Sequence, residues 1–66
     1  MAYEIFTIPE GQGKLSKLEV RGPKGTVRMG PTDDGSWFVW HSEGGGFQTR
    51  GEALDCARKI VGDLED

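Results

Sequence analysis

Cysteine, histidine and tyrosine occur once each in these 66 residues, and proline only three times. The lone Cys56 excludes an intrachain disulfide. With His41 as its only histidine partner, it supplies no ligand set for zinc. No apolar run approaches the ~18 residues of a membrane span. The opening Met1-Ala2-Tyr3-Glu4 lacks the basic-then-apolar order of a secretory signal. Gly11-Gln12-Gly13 is too short for a dinucleotide fingerprint, and Lys14 is not spaced as in a phosphate-binding loop. There is no repeat, no linker and no second domain. These absences predict one small, independent, cytoplasmic domain, 1–66, with no metal and no cofactor.

Size sets the next constraint. A domain this short buries only about 60% of the surface its unfolded chain exposes. Without a disulfide or metal to brace it, it depends on an efficient core or on a second subunit. A homodimer would meet that need.

Charge is unevenly spread along the chain. The net charge is −3. From Gly11 to Pro31 the basic residues Lys14, Lys17, Arg21, Lys24 and Arg28 face only Glu19. From Thr32 to Asp66 three basic residues face eight acidic ones. Such asymmetry can steer a partner, although a solvated surface of mixed charge is the simpler reading.

What the chain does have is a dense aromatic stretch, Ser36-Trp37-Phe38-Val39-Trp40-His41. Alternation predicts strands over 3–8, 15–21, 26–29, 36–42 and 47–49. Leu18 and Val20 share one face of the second strand, and Lys17, Glu19 and Arg21 the other, the pattern of a sheet with one side in water. Gly22-Pro23-Lys24-Gly25 and Asp33-Asp34-Gly35 read as turns, and Glu43-Gly44-Gly45-Gly46 as a hairpin tip. A helix over 50–62 has the clearest local signal. Thr49 and Glu52 have capping-box spacing, which predicts that Glu52 reaches back to the Thr49 amide. Ala53, Leu54, Ala57, Ile60, Val61 and Leu64 form one apolar stripe. Gly62 would end the helix and leave 63–66 as a frayed acidic tail. The expected fold class is α+β: a small antiparallel sheet of four to five strands with one C-terminal helix on one face.

A helix on one face leaves the other open. The fourth strand carries apolar bulk on both sides, so either Trp37 with Val39 or Phe38 with Trp40 must lie outside the helix-packed core. We expect Phe38 and Trp40 to be the outer pair. Catalytic groupings are missing. No spacing brings His41 to Ser36, Ser42 or Cys56, and Asp33, Asp34 and Glu43 fall in glycine-rich loops where acids favour turns. No catalytic or metal residue is assigned, and no enzyme activity is expected.

Three resemblances follow from these residues. Gly46-Phe47-Gln48-Thr49 with Glu52-Ala53-Leu54 resembles the strand-to-helix ending of HicB-type antitoxins, although that family's Leu-Pro-Gly-Cys element is absent here. Trp37, Phe47, Thr49, Glu52 and Ala53 resemble the end of three-stranded DNA-binding sheets, namely integrase arm-binding domains and the plant ethylene-response type. In size, acidity and lack of catalytic groups the chain is similar in style to phage and mobile-element inhibitors, including anti-CRISPR proteins.

The leading expectation is a non-enzymatic protein-binding module, a regulator or inhibitor that blocks a host protein surface. Phe38 and Trp40 would be its apolar anchors, with Asp33 and Asp34 competing for a basic partner surface. The alternative is a nucleic-acid-binding domain that meets phosphates with Lys17, Arg21, Lys24 and Arg28. The antitoxin resemblance implies a third, a toxin partner.

Overall fold

The computed structural model describes residues 3–9, 11 and 16–63. Five strands, β1 (Glu4–Ile8), β2 (Lys17–Gly22), β3 (Gly25–Pro31), β4 (Trp37–Trp40) and β5 (Gly45–Phe47), precede one helix, α1 (Arg50–Ile60). The strands form a single sheet in chain order, β1-β2-β3-β4-β5, every neighbouring pair antiparallel. The fold is a small α+β domain.

Several boundaries differ from the sequence expectation. β3 extends at both ends, because Gly25 pairs with Gly22 and Pro31 with Trp37. β5 lies earlier than expected: Gly45 and Gly46 pair with Val39 and Phe38, leaving Gln48 and Thr49 to lead into the helix. β4 stops at Trp40, where a turn begins: His41 Nδ1 accepts the Glu43 amide at 3.0 Å. Leu15 and Leu64, expected to extend the second strand and the helix stripe, lie outside the described residues.

The core is made of small and medium side chains. Val20, Val27, Met29 and Val39 from the sheet meet Ala53, Ala57 and Val61 from the helix region, all essentially inaccessible. Ala53 and Ala57 have no bulk beyond Cβ, so α1 can sit close to the sheet. Each buried valine contributes about 1.5–3 kcal/mol of hydrophobic stabilisation. Tyr3, Ile5, Leu18, Trp37, Phe47, Leu54, Cys56 and Ile60 ring this centre, partly buried. The helix lies over β3, β4 and β5, touches β2, and does not reach β1.

Both helix ends are capped. The Thr49 hydroxyl accepts the Glu52 amide at 3.2 Å and donates to the Glu52 carboxylate at 3.0 Å. Glu52 thus returns to the Thr49 side chain, where the expected capping box had it reach the Thr49 backbone. At the other end Gly62 adopts φ +89. The Asp63 amide donates to Arg58 O and the Gly62 amide to Lys59 O, which together make a Schellman motif. Asp63 is therefore no frayed end. Its side chain is 1% exposed and takes the Arg58 Nε at 2.7 Å. Hydrogen bonding and the charge of Asp63 raise the Arg58 pKa, and the same guanidinium lies 4.5 Å from the Tyr3 ring.

The turn between β2 and β3 docks on this end of α1. Lys24 donates its amide to Val61 O at 2.9 Å. Gly22 comes so close that an added Cβ would lie 2.5 Å from the same carbonyl oxygen.

Candidate functional site on the open sheet face

Strand alternation assigns the two faces. Trp37 and Val39 turn toward the helix, where Val39 is fully buried and Trp37 packs at the core margin. Phe38 and Trp40 turn to the opposite face, where no helix lies among the described residues. This settles which pair of the aromatic strand is outermost.

The register then places one continuous row across four strands. Phe6 sits beside Glu19, Glu19 beside Arg28, and Arg28 beside Trp40. A second row carries Ile8, Lys17 and Phe38, with Gly30 opposite Phe38. Arg21 extends the surface on the other side, opposite Glu4.

Gly30 has a specific use here. A Cβ at this position would meet two atoms of the Trp40 ring at 3.2 Å and Lys17 Cγ at 3.0 Å. Its bare backbone is the bed on which the indole and the lysine stem lie. Trp40 also meets Phe38, with ring centroids 5.5 Å apart and planes at 59°. Such a tilted pair contributes about 0.5–1.5 kcal/mol beyond its buried area. Trp40 nevertheless remains 44% exposed, and Phe6 39%.

The basic residues are interleaved with the rings. Lys17 Nζ lies 5.0 Å from the Trp40 centroid, and the Arg21 guanidinium 4.3 Å from the Phe6 centroid. Glu19, mostly covered, holds Arg21 at 2.6 Å and reaches Arg28 at 3.7 Å. Both guanidiniums lie largely in solvent, so these ion pairs add little stability. Their effect is positional, because one carboxylate fixes two guanidiniums on a flat surface.

The structure therefore joins residues that the sequence separated into rival sets. Phe38 and Trp40 share a face with Lys17, Arg21 and Arg28. Lys24 does not belong to it: it sits in the β2–β3 turn, its stem against Gly62 at the helix end. Asp33 and Asp34 lie in the turn between β3 and β4, at the end of the sheet near Phe38. Asp33 is exposed. Asp34 is occupied by the turn itself, accepting from the Ser36 amide at 3.0 Å, the Ser36 hydroxyl at 2.6 Å and the Thr32 hydroxyl. These bonds, led by the Ser36 hydroxyl, lower its pKa to about 2. Phe6, on the most distant strand, was missed as a site residue. Its alternation with Ile5 was visible, but only the register shows it at the end of the Trp40 row.

No family model, curated protein or solved structure matches the chain.

A concavity lies on the helix side, between α1 and the β4–β5 turn. It is an open cleft of about 460 Å³ lined by Glu43, Phe47, Glu52, Asp55, Cys56, Lys59 and Ile60. Burial raises the Cys56 thiol pKa, and its Sγ lies 3.8 Å from Glu43 O. A thiol held protonated in this way is a poor nucleophile. Among the described residues no group of three His, Cys, Asp or Glu side chains could hold a metal ion. No helix there is long and apolar enough to cross a membrane.

Proposed function

We propose that this chain is a non-enzymatic binding module, a regulator or inhibitor that acts by covering a surface of a protein partner with its open sheet face. The observation that carries this reading is the mixed row of Phe6, Arg28 and Trp40, with Phe38, Lys17 and Arg21 beside it. Aromatic rings and arginines are the residue types that dominate binding energy at protein interfaces. Here they are held on a rigid sheet, so little side-chain freedom is lost on docking. The face carries Lys17, Arg21 and Arg28 against Glu4 and Glu19, so it is locally positive on an acidic chain. The matching partner surface is apolar at its centre and edged with carboxylates.

The second reading is single-stranded nucleic acid, favoured by the same three cations lying beside exposed rings. Two features weigh against it. Lys17 and Arg21 occupy space over Trp40 and Phe6 that a stacking base would need. Arg21 and Arg28 are already engaged by Glu19.

The test is a tagged pull-down from bacterial lysate, with and without nuclease, using wild type and Phe38→Ala/Trp40→Ala. A protein recovered after nuclease and lost with the double variant supports the proposal. Retention by a folded double variant refutes the anchors. Recovery that disappears with nuclease, and weakens steeply with salt, establishes the nucleic-acid reading.

A further inference from the structure

Among the described residues no strand pairs with the outer edge of β1, and the hydrogen bonds of the sheet show which of its groups point outward. Thr32 donates its amide to Ser36 O at 2.8 Å, across the β3–β4 hairpin. Even-numbered residues of β3 therefore turn their backbone groups toward β4, and odd-numbered ones toward β2. Pro31, which has no N–H to give, falls in the odd set. Through the register, Leu18 and Val20 of β2 face β3, so Lys17, Glu19 and Arg21 face β1. Their partners there are Ile8, Phe6 and Glu4. Ile5 and Thr7 are left with both N–H and C=O pointing away from the sheet.

The other edge is much poorer. β5 is three residues long, and by the same alternation only Gly46 faces outward. β1 is five residues long, its only charge is Glu4, and it exposes Phe6. An edge of this kind is a template for another strand.

We propose that β1 is the self-association edge: two copies pair antiparallel through β1 about a two-fold axis at Phe6, making one continuous ten-stranded sheet. The strand is suited to itself. With Phe6 opposite Phe6 of the second copy, Ile5 of each copy faces Thr7 of the other. Both free amides and both free carbonyls of each strand are then satisfied. Glu4 faces Ile8 rather than another carboxylate. Phe6 forms a non-hydrogen-bonded pair, the kind in which side chains approach most closely.

The second copy also supplies what the helix does not. α1 does not extend over β1, and Ile5 and Leu18 on the helix side are only partly buried. In this register Ile5 of each copy meets Thr7 of the other on that side, with Leu18 one strand further along the same row. On the open face the two-fold axis joins two copies of the row that runs from Trp40 to Phe6. This inference stands on the edge geometry and does not depend on the proposed partner.

Thr7→Pro is the decisive variant. The substitution removes an N–H that no bond within the sheet uses, and proline is tolerated at such an edge position. Size-exclusion chromatography with light scattering at high micromolar concentration should give wild type at twice the 7.2 kDa chain mass. Thr7→Pro should give the single chain mass with an unchanged far-UV spectrum. A monomeric wild type, or a dimeric Thr7→Pro, overturns the proposal. A second measurement is independent of that fold. In a Cys56→Ser background, Phe6→Cys should form a disulfide-linked dimer under mild oxidation, well ahead of a Thr26→Cys control. Equal or slower cross-linking overturns the pairing at Phe6.

Discussion

Gly22→Ala should be among the most damaging single-methyl additions in this protein. The new Cβ would lie 2.5 Å from Val61 O, 2.6 Å from Val61 Cγ2 and 2.9 Å from Val61 Cβ. Two of these neighbours belong to a buried core side chain and the third to backbone, so none can swing away. The end of β2 and the end of α1 must separate. Overpacking of this kind costs about 1–3 kcal/mol. Separation also lengthens the bond from the Lys24 amide to Val61 O, 2.9 Å in the native state. Its loss adds about 1 kcal/mol. Against this, alanine restricts the unfolded chain more than glycine and returns about 0.4–1 kcal/mol. The net expectation is about 2–3 kcal/mol of destabilisation. For a domain of this size each kcal/mol moves the midpoint by about 4–8 °C, so thermal unfolding followed by circular dichroism should show a fall of about 10–20 °C. Gly46→Ala is the control: an added Cβ there meets nothing within 4 Å. A Gly22→Ala midpoint indistinguishable from that of Gly46→Ala would refute this account of the β2–α1 contact.

Two further expectations concern the turns and caps. Thr49→Ala should lower stability by about 1 kcal/mol, with most of it restored in Thr49→Ser, read from the urea midpoint. The Asp34 carboxyl is held at about 2, below its usual 3.8, so its stabilising bonds are fully present above pH 4 and are lost as the pH falls toward 2. The gap in melting temperature between wild type and Asp34→Asn should therefore narrow over that interval, and a gap that stays constant down to pH 2 would contradict it.

Much of this fold is written in local pattern. The alternation of Leu18 and Val20 with Lys17, Glu19 and Arg21 gave the faces of β2, and the Ala53 to Val61 stripe gave the buried side of α1. That one pair of β4 lies outside followed from a single helix covering one face; that it is Phe38 with Trp40 depends on where the helix docks. Other features depend on register, which sequence specifies only indirectly. Nothing near Phe6 indicates that it lies in line with Trp40, three strands away. Glycine was read as punctuation, yet Gly45 and Gly46 pair within β5 and Gly30 gives the indole its bed. The same limit applies to Lys24, whose charge grouped it with Arg21 and Arg28. The turn geometry carries it instead to the helix end. Asp63 read as tail, because its partner Arg58 lies on the helix five residues earlier, where only the Schellman turn brings them together.

The strand order has a consequence for how the molecule is made. Each strand pairs with the one just before it in the chain. No pairing waits for a distant segment, so each hairpin closes a short loop at a small entropic cost. A sheet of this topology can grow strand by strand as the polypeptide lengthens. The helix that covers it comes after all five strands in the chain. Until that helix docks, Val20, Val27, Met29 and Val39 have no cover. Assembly should therefore be fast in its pairing steps, and most vulnerable to aggregation in the interval between formation of the sheet and docking of α1.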